Sequence, residues 1–138
     1  TLEGLNARLA ARRHSAATVA ALERVLAMGS RATAKRDAQT LNTLNARFHD
    51  LLANAGGNAV LAEIMRTLRT RTTSFFAEMS RKRAKETWEE HAAIVRAVID
   101  GDEALAELLA TRHVVNAGTH VITAIAGPQN VLGMERTA

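Results

Sequence analysis

Cysteine is absent from the 138 residues, proline occurs once, and aromatic side chains make up only 3% of the chain. The missing thiols exclude disulfides, thiolate metal sites and cysteine nucleophiles together, and suit a reducing compartment. Scarce proline, few aromatics and seldom-consecutive strand formers argue for helices rather than sheet. No apolar run approaches the roughly 18 residues needed to cross a bilayer, and no charged-then-apolar leader opens the sequence. The expectation is a soluble, cytoplasmic domain without a membrane partner. At this length one domain buries a sizeable core with neither a disulfide nor a structural metal.

The formal net charge is +4, but basic residues are spread over several segments and alternate with acids, which is weak ground for DNA binding. The densest cluster, Arg81, Lys82, Arg83 and Lys85, precedes a new helix and reads as a solvated face.

Apolar periodicity marks six helices. Leu2, Leu5 and Leu9 define the first, ending near Arg13, and Ser15 is placed to cap the second. Val19, Leu22 and Leu26 lie on the second, which Gly29 is expected to stop. The third runs from about Asp37 through Leu41, Leu44, Phe48 and Leu51 or Leu52 to the Gly56–Gly57 pair. Asn58 caps a fourth bearing Leu61, Ile64, Leu68 and Phe75 and running on toward Met79. Trp88, Val95 and Val98 mark a fifth that ends at Asp100 and Gly101. Asp102 caps a sixth carrying Leu105, Leu109, Ala117, Val121 and Ala124 until Gly127 and Pro128 break it. With no strand pattern, repeat or internal linker, this is an all-α antiparallel bundle over residues 1–127, followed by a tail at 128–138.

Polar residues stand where leucines belong. On the third helix Leu41, Asn45, His49 and Leu52 share one face, since residues four apart differ by only about 40° around the axis. His91 lies between Trp88 and Val95, and His113 between Leu109 and Ala117. His91 is ten residues before Gly101 and His113 twelve after it, so in an antiparallel hairpin their heights differ by about 3 Å. A lone histidine on an apolar face is usually a hydrogen-bonded core residue. Three on separate helices, with an amide one turn from one of them, favour a shared divalent ion, because burying three unpartnered imidazoles costs several kcal/mol. Imidazole nitrogens with one oxygen suit Zn, Ni or another borderline ion.

His14 falls near a turn and reads as exposed. His120, seven residues after His113, shares its face about 10 Å along the axis and is placed to line a pocket wall. Asn116 is a candidate for a hydrogen bond behind the ligands, and Arg69 and Arg71 are candidates to pair with an effector carboxylate. Glu90 neighbours His91 but points about 100° away, so no acid or base stands beside the histidines and an enzyme is not expected. A metal-dependent hydrolase and a metal-free dimerisation module remain as alternatives.

The run Leu44-Asn45-Ala46-Arg47-Phe48-His49, followed by Ala55-Gly56-Gly57-Asn58, resembles the D-x-x-F-H segment and turn of the FadR C-terminal domain, or FCD, of GntR-family bacterial transcription regulators. Glu90-His91-Ala92-Ala93-Ile94, Asp100-Gly101-Asp102 and Arg112-His113 match that family's later histidine segments in order and spacing. The resemblance implies a bundle of six or seven helices whose cavity holds a metal through an acidic residue and three histidines, here Asn45, His49, His91 and His113. The family usually has Asp where Asn45 stands; Asn ligates through its oxygen but brings no charge, which favours an anionic effector at the metal. The resemblance further implies a small carboxylate effector, a homodimer, and operator DNA contacted only through a winged-helix domain N-terminal to this segment.

Overall fold

Short polar residues set most of the helix starts. Ser15 Oγ accepts from the Thr18 amide at 3.2 Å, Asp37 Oδ1 from Thr40 at 3.1 Å, Asn58 Oδ1 from Leu61 at 3.0 Å, and Asp102 Oδ1 from Leu105 at 2.9 Å. Each satisfies an amide that the first turn of a helix leaves without a partner. A computed structural model describes residues 1–126, and the backbone alone for 73–82, 121 and 124–126. The helices are α1 (Leu2–Arg13), α2 (Ala16–Lys35), α3 (Ala38–Ala55), α4 (Ala59–Lys82), α5 (Ala84–Ile99) and α6 (Glu103–Ala126), with no strand among the described residues. The all-α bundle expected from periodicity is the observed fold. Gly127, Pro128 and the tail at 128–138 lie outside the described residues, as do the side chains of Phe75, Met79, Val121 and Ala124.

Two tight turns order the hairpins. Gly57 at φ 65° reverses the chain between α3 and α4, and Gly101 at φ 70° between α5 and α6; both need the left-handed conformation that glycine adopts without strain. The core gathers Leu22 and Val25 from α2, Phe48 and Leu52 from α3, Ile94, Val95 and Val98 from α5, and Ala106 and Ala110 from α6. A smaller cluster of Ala53, Leu61, Ala62 and Met65 holds α4 against α3 and Leu9.

The first helix leaves two of its three leucines exposed, while Leu9 packs partly buried on the smaller cluster. Leu2 is 38% and Leu5 43% exposed, whereas Ala7, Ala10 and Ala11 are buried. Its core face is built from small residues because α1 packs closely against α3, α4, α5 and α6: a Cβ added to Gly4 would stand 2.9 Å from the Glu107 carbonyl. Asn6, fully buried, donates from Nδ2 to the Leu52 carbonyl at 2.7 Å. Leucine periodicity thus located the helix but not its inward face. Ile64, Leu68 and Leu105 are likewise exposed.

Gly29 does not stop the second helix, which continues to Lys35 and ends where Arg36 turns left-handed at φ 54°. The glycine is buried against the indole of Trp88, whose ring atoms lie 2.5 Å from where a Cβ would be. Loss of helix propensity, about 1 kcal/mol relative to alanine, is offset by the ring that the missing side chain admits.

Gly29→Ala should therefore lower unfolding free energy by roughly 1–3 kcal/mol through overpacking, despite alanine's better propensity. Gly118→Ala on α6, where nothing lies within 4 Å of the new Cβ, should raise it by roughly 0.5–1 kcal/mol. Urea denaturation of the two variants checks both; equal effects of either sign would contradict the Trp88 contact.

Candidate functional site

His49 on α3, His91 on α5 and His113 on α6 converge, and all three are buried. Their ring centroids are 4.7 to 5.4 Å apart, and one nitrogen from each lies within 4.8 Å of the others. Hairpin register brings His91 to His113, as their spacing about Gly101 predicts. Phe48 stacks on His91 at 3.8 Å with an interplanar angle of 14°, and Trp88 meets the same ring edge-on at 5.0 Å. The His91 ring is thereby held in one orientation by packing.

Carboxylates set the proton positions. His113 Nδ1 donates to Glu90 Oε2 at 2.7 Å, which leaves Nε2 of a neutral ring with its lone pair turned toward His91 Nε2, 3.3 Å away. If His91 carries its proton on Nδ1, two lone pairs face one another. If it carries the proton on Nε2, it donates to His113 Nε2, and its buried Nδ1 accepts from nothing among the described residues. A divalent cation between the rings would accept both Nε2 lone pairs, with the His91 proton on Nδ1. Zinc bonds of about 2.0–2.1 Å in a tetrahedral shell separate ligand nitrogens by about 3.3–3.4 Å, the spacing already present between His91 and His113. The donor set therefore fits a borderline transition metal.

His49 Nδ1 lies 3.2 Å from Glu3 Oε2, without the alignment of a hydrogen bond. The other Glu3 oxygen pairs with Arg69 Nη2 at 2.5 Å, and Arg69 Nη1 stands 4.0 Å from Asp50. Burial alone would push the Glu3 carboxyl up, but His49, Arg69 and His113 together hold it well below the usual carboxylate range. Glu90 is likewise pushed up by burial, then brought down to about 2 by hydrogen bonds from His113, Asn116 and Arg83. Burial depresses His49 against the opposing pull of Glu3. His91, buried and facing His49 and His113, lies well below its ordinary value.

The histidines border a cavity of about 490 Å³. Asn45, His49, His113, His120 and Arg69 line it. His91 sits behind this wall, and Arg71 is exposed and outside the lining. Asn116 donates to Glu90 Oε1 at 2.8 Å and borders a second depression of about 370 Å³ on the far side of Glu90. His14 is half-buried, with Nδ1 3.0 Å from the Ala11 carbonyl.

Three supporting residues escaped the sequence reading. Glu3 looked like an ordinary acid in the first turn of a helix. Arg83 was read with its basic neighbours as solvated, yet its side chain is 14% exposed, donates to Glu90 Oε1 at 2.9 Å and lines the cavity. Glu90 does point away from His91, but toward α6, where it meets His113. The signal was available: Glu90 is eleven residues before Gly101 and His113 twelve after, a height difference of about 1.5 Å.

A family model, the FCD domain, matches residues 1–116, a span that includes His49, His91 and His113. No curated protein sequence matches the chain.

A pH dependence follows for the metal-free protein. His49 and His91 have folded values below the 6.5 of the free imidazole, so the unfolded chain binds more protons and stability rises with pH through this region. The contribution is fully present above about 6.5 and is lost on acidification. Stability should fall between pH 7.5 and 5.5, by at most about 1.4 kcal/mol per ring for each pH unit below 6.5. Chemical denaturation with a chelator present tests this, and a flat profile for wild type would show that the rings bind protons equally in the folded and unfolded chain. Below pH 4.5, protonation of Glu90 adds a further loss as its folded value of about 2 is approached.

Proposed function

We propose that this chain, which belongs to the FCD domain family, is the effector-sensing and dimerisation domain of a GntR-family regulator of the FadR branch. FCD domains are the effector-binding domains of GntR-family transcription regulators. Here His49, His91 and His113, with the Asn45 side-chain oxygen, hold a divalent transition metal, Zn or Ni. A small carboxylate completes its shell from the cavity. The observation that carries this reading is the meeting of three buried imidazole nitrogens within 4.8 Å at the wall of a ligand-sized cavity.

Charge supplies the link from metal to carboxylate. The three rings and Asn45 are neutral donors, so a bound dication keeps its full charge within its own ligand set. Glu3 and Glu90 are already engaged with Arg69 and Arg83. An anionic effector is the group that compensates the ion, and in a buried site that attraction is stronger than in water.

The effector acts by population shift: it binds one arrangement of a homodimer better than another and alters the spacing of DNA-binding domains that read two half-sites. DNA contact belongs to a winged-helix domain N-terminal to this segment, and the protein works in the cytoplasm. No helix among the described residues is long and apolar enough to cross a membrane. Arg69, Asn116 and His120 take supporting roles, Arg69 and His120 at the cavity wall and Asn116 behind His113; Arg71, remote from the cavity lining, reaches an effector only if it moves.

A metal-dependent hydrolase is disfavoured by the state of Glu90. Both of its oxygens are hydrogen-bonded, to His113 on one side and to Arg83 and Asn116 on the other, and its low proton affinity makes it a poor general base. The metal-free dimerisation module accounts for the His91–His113 contact as a hydrogen bond but gives the third imidazole, His49, and the adjoining cavity no role.

Elemental mass spectrometry of the purified domain should find near one transition metal per chain, lost in a His49→Ala, His91→Ala double variant. No metal in either protein after incubation with Zn or Ni would sink the reading. Restoring a charge with Asn45→Asp should retain the metal but weaken carboxylate binding roughly tenfold, about 1.4 kcal/mol; unchanged affinity by calorimetry would remove the charge argument.

A further inference from the structure

Two arginines on the cavity wall invite the idea of a ligand with several negative charges, but neither brings surplus charge. Arg69 is held by Glu3 at 2.5 Å with Asp50 beyond it, and Arg83 by Glu90 at 2.9 Å. Each cation is half of an ion pair whose acid is itself fixed by a histidine. With a dication bound, the uncompensated positive charge therefore lies at the meeting point of His49 and His113 at the cavity wall. A second carboxylate elsewhere in the ligand would be desolvated against a balanced wall.

Most of the cavity's accessible wall is carbon, although several residues lining it carry polar groups. Several of the polar groups are directed into bonds of their own: Thr72 Oγ1 donates to the Leu68 carbonyl at 3.1 Å, and Arg69 and Arg83 pair with Glu3 and Glu90. The apolar surface comes from Leu2 on α1, Met65 and Leu68 on α4, and Val114 and Ala117 on α6, with Asn42, Asn45 and His120 as polar groups in the same lining. Leu2, Leu68 and Val114 are 38%, 50% and 37% exposed although they border this concavity. They have apolar surface for which the protein supplies no neighbour. A ligand rich in hydroxyls would lose its water against this apolar surface, with polar partners on only part of the wall.

We infer that the site takes a single-headed acid, a monocarboxylate with an aliphatic body, its carboxylate at the histidine cluster and its carbons against Leu2, Leu68 and Val114. This rests on the metal-and-carboxylate reading above and narrows it, setting polyhydroxy acids and dicarboxylates apart as poor ligands. The volume of about 490 Å³ corresponds to roughly 16 water molecules at about 30 Å³ each, ample for an acid of about six carbons.

Calorimetric titration of the Zn-loaded chain, with metal content measured on the same sample, separates these possibilities. The probes are acetate, butyrate, hexanoate, adipate and gluconate. Affinity should rise about fourfold per added methylene from acetate to hexanoate. Adipate, of the same carbon count, and gluconate should bind at least tenfold more weakly than hexanoate. Val114→Thr, which exchanges one methyl for a hydroxyl of similar size, should lower hexanoate affinity several-fold and leave acetate unchanged. A flat series, or adipate or gluconate equal to hexanoate, overturns the aliphatic assignment and leaves the carboxylate reading standing. Failure of every acid to bind a protein that carries its metal, or failure to take up metal at all, overturns both.

Discussion

The contact between Glu90 and His113, 2.7 Å long, is the constraint on which the rest of the site depends. It fixes which nitrogen of His113 carries the proton and so which lone pair faces His91. It joins α5 to α6 at the level of the histidines. The carboxylate is held from its other oxygen by Arg83 and Asn116, so the ring cannot turn without breaking a four-membered polar network in a half-buried position. Such networks are costly when partly satisfied and rigid when complete. Gly101 sets the hairpin register that makes the contact possible; a slip of one residue would rotate Glu90 by about 100° and remove it.

The opposite side of the site is built by α1. Its small residues admit the neighbouring helices closely enough for Glu3 to lie between His49 and Arg69. One turn further on, Asn6 ties the same helix to the end of α3 through the Leu52 carbonyl, beside a glycine, Gly56, whose missing Cβ leaves room for it. Core packing and ligand geometry are thus supported by the same short helix. Thr1 and Leu2 border the cavity, which makes the first turn of α1 part of the surface a ligand would touch.

Electrostatically the site is a set of buried imidazoles enclosed by ion pairs. Burial opposes the ionisation of His49 and His91, which keeps their lone pairs available, while Glu3 and Glu90 remain ionised through the histidines they face and, after these, their guanidinium partners. With asparagine at position 45, the other candidate ligand on α3 besides His49 adds no charge. Attraction for an anion is therefore conditional on the metal, and a ligand and an ion would bind each other as well as the protein.

The sequence by itself determined the helices, most of the caps that start them and the meeting of His91 with His113, because each rests on a local period or on counting from one turn. His49, His91 and His113 were legible as inward-facing residues since a polar residue in an apolar stripe stands out against its neighbours. Packing distances decided the rest. Nothing in the local pattern distinguishes a glycine that ends a helix from Gly29, which continues one because Trp88, some 60 residues away, occupies the space. The inward face of α1 was hidden for the same reason: its leucines carry the period, but the close approach of four helices selects alanine and glycine for the interior. Glu3 and Arg83 are ordinary surface residues by composition, and only the folded chain sets them against a histidine and a carboxylate, where low solvent access turns common charges into fixed parts of a site.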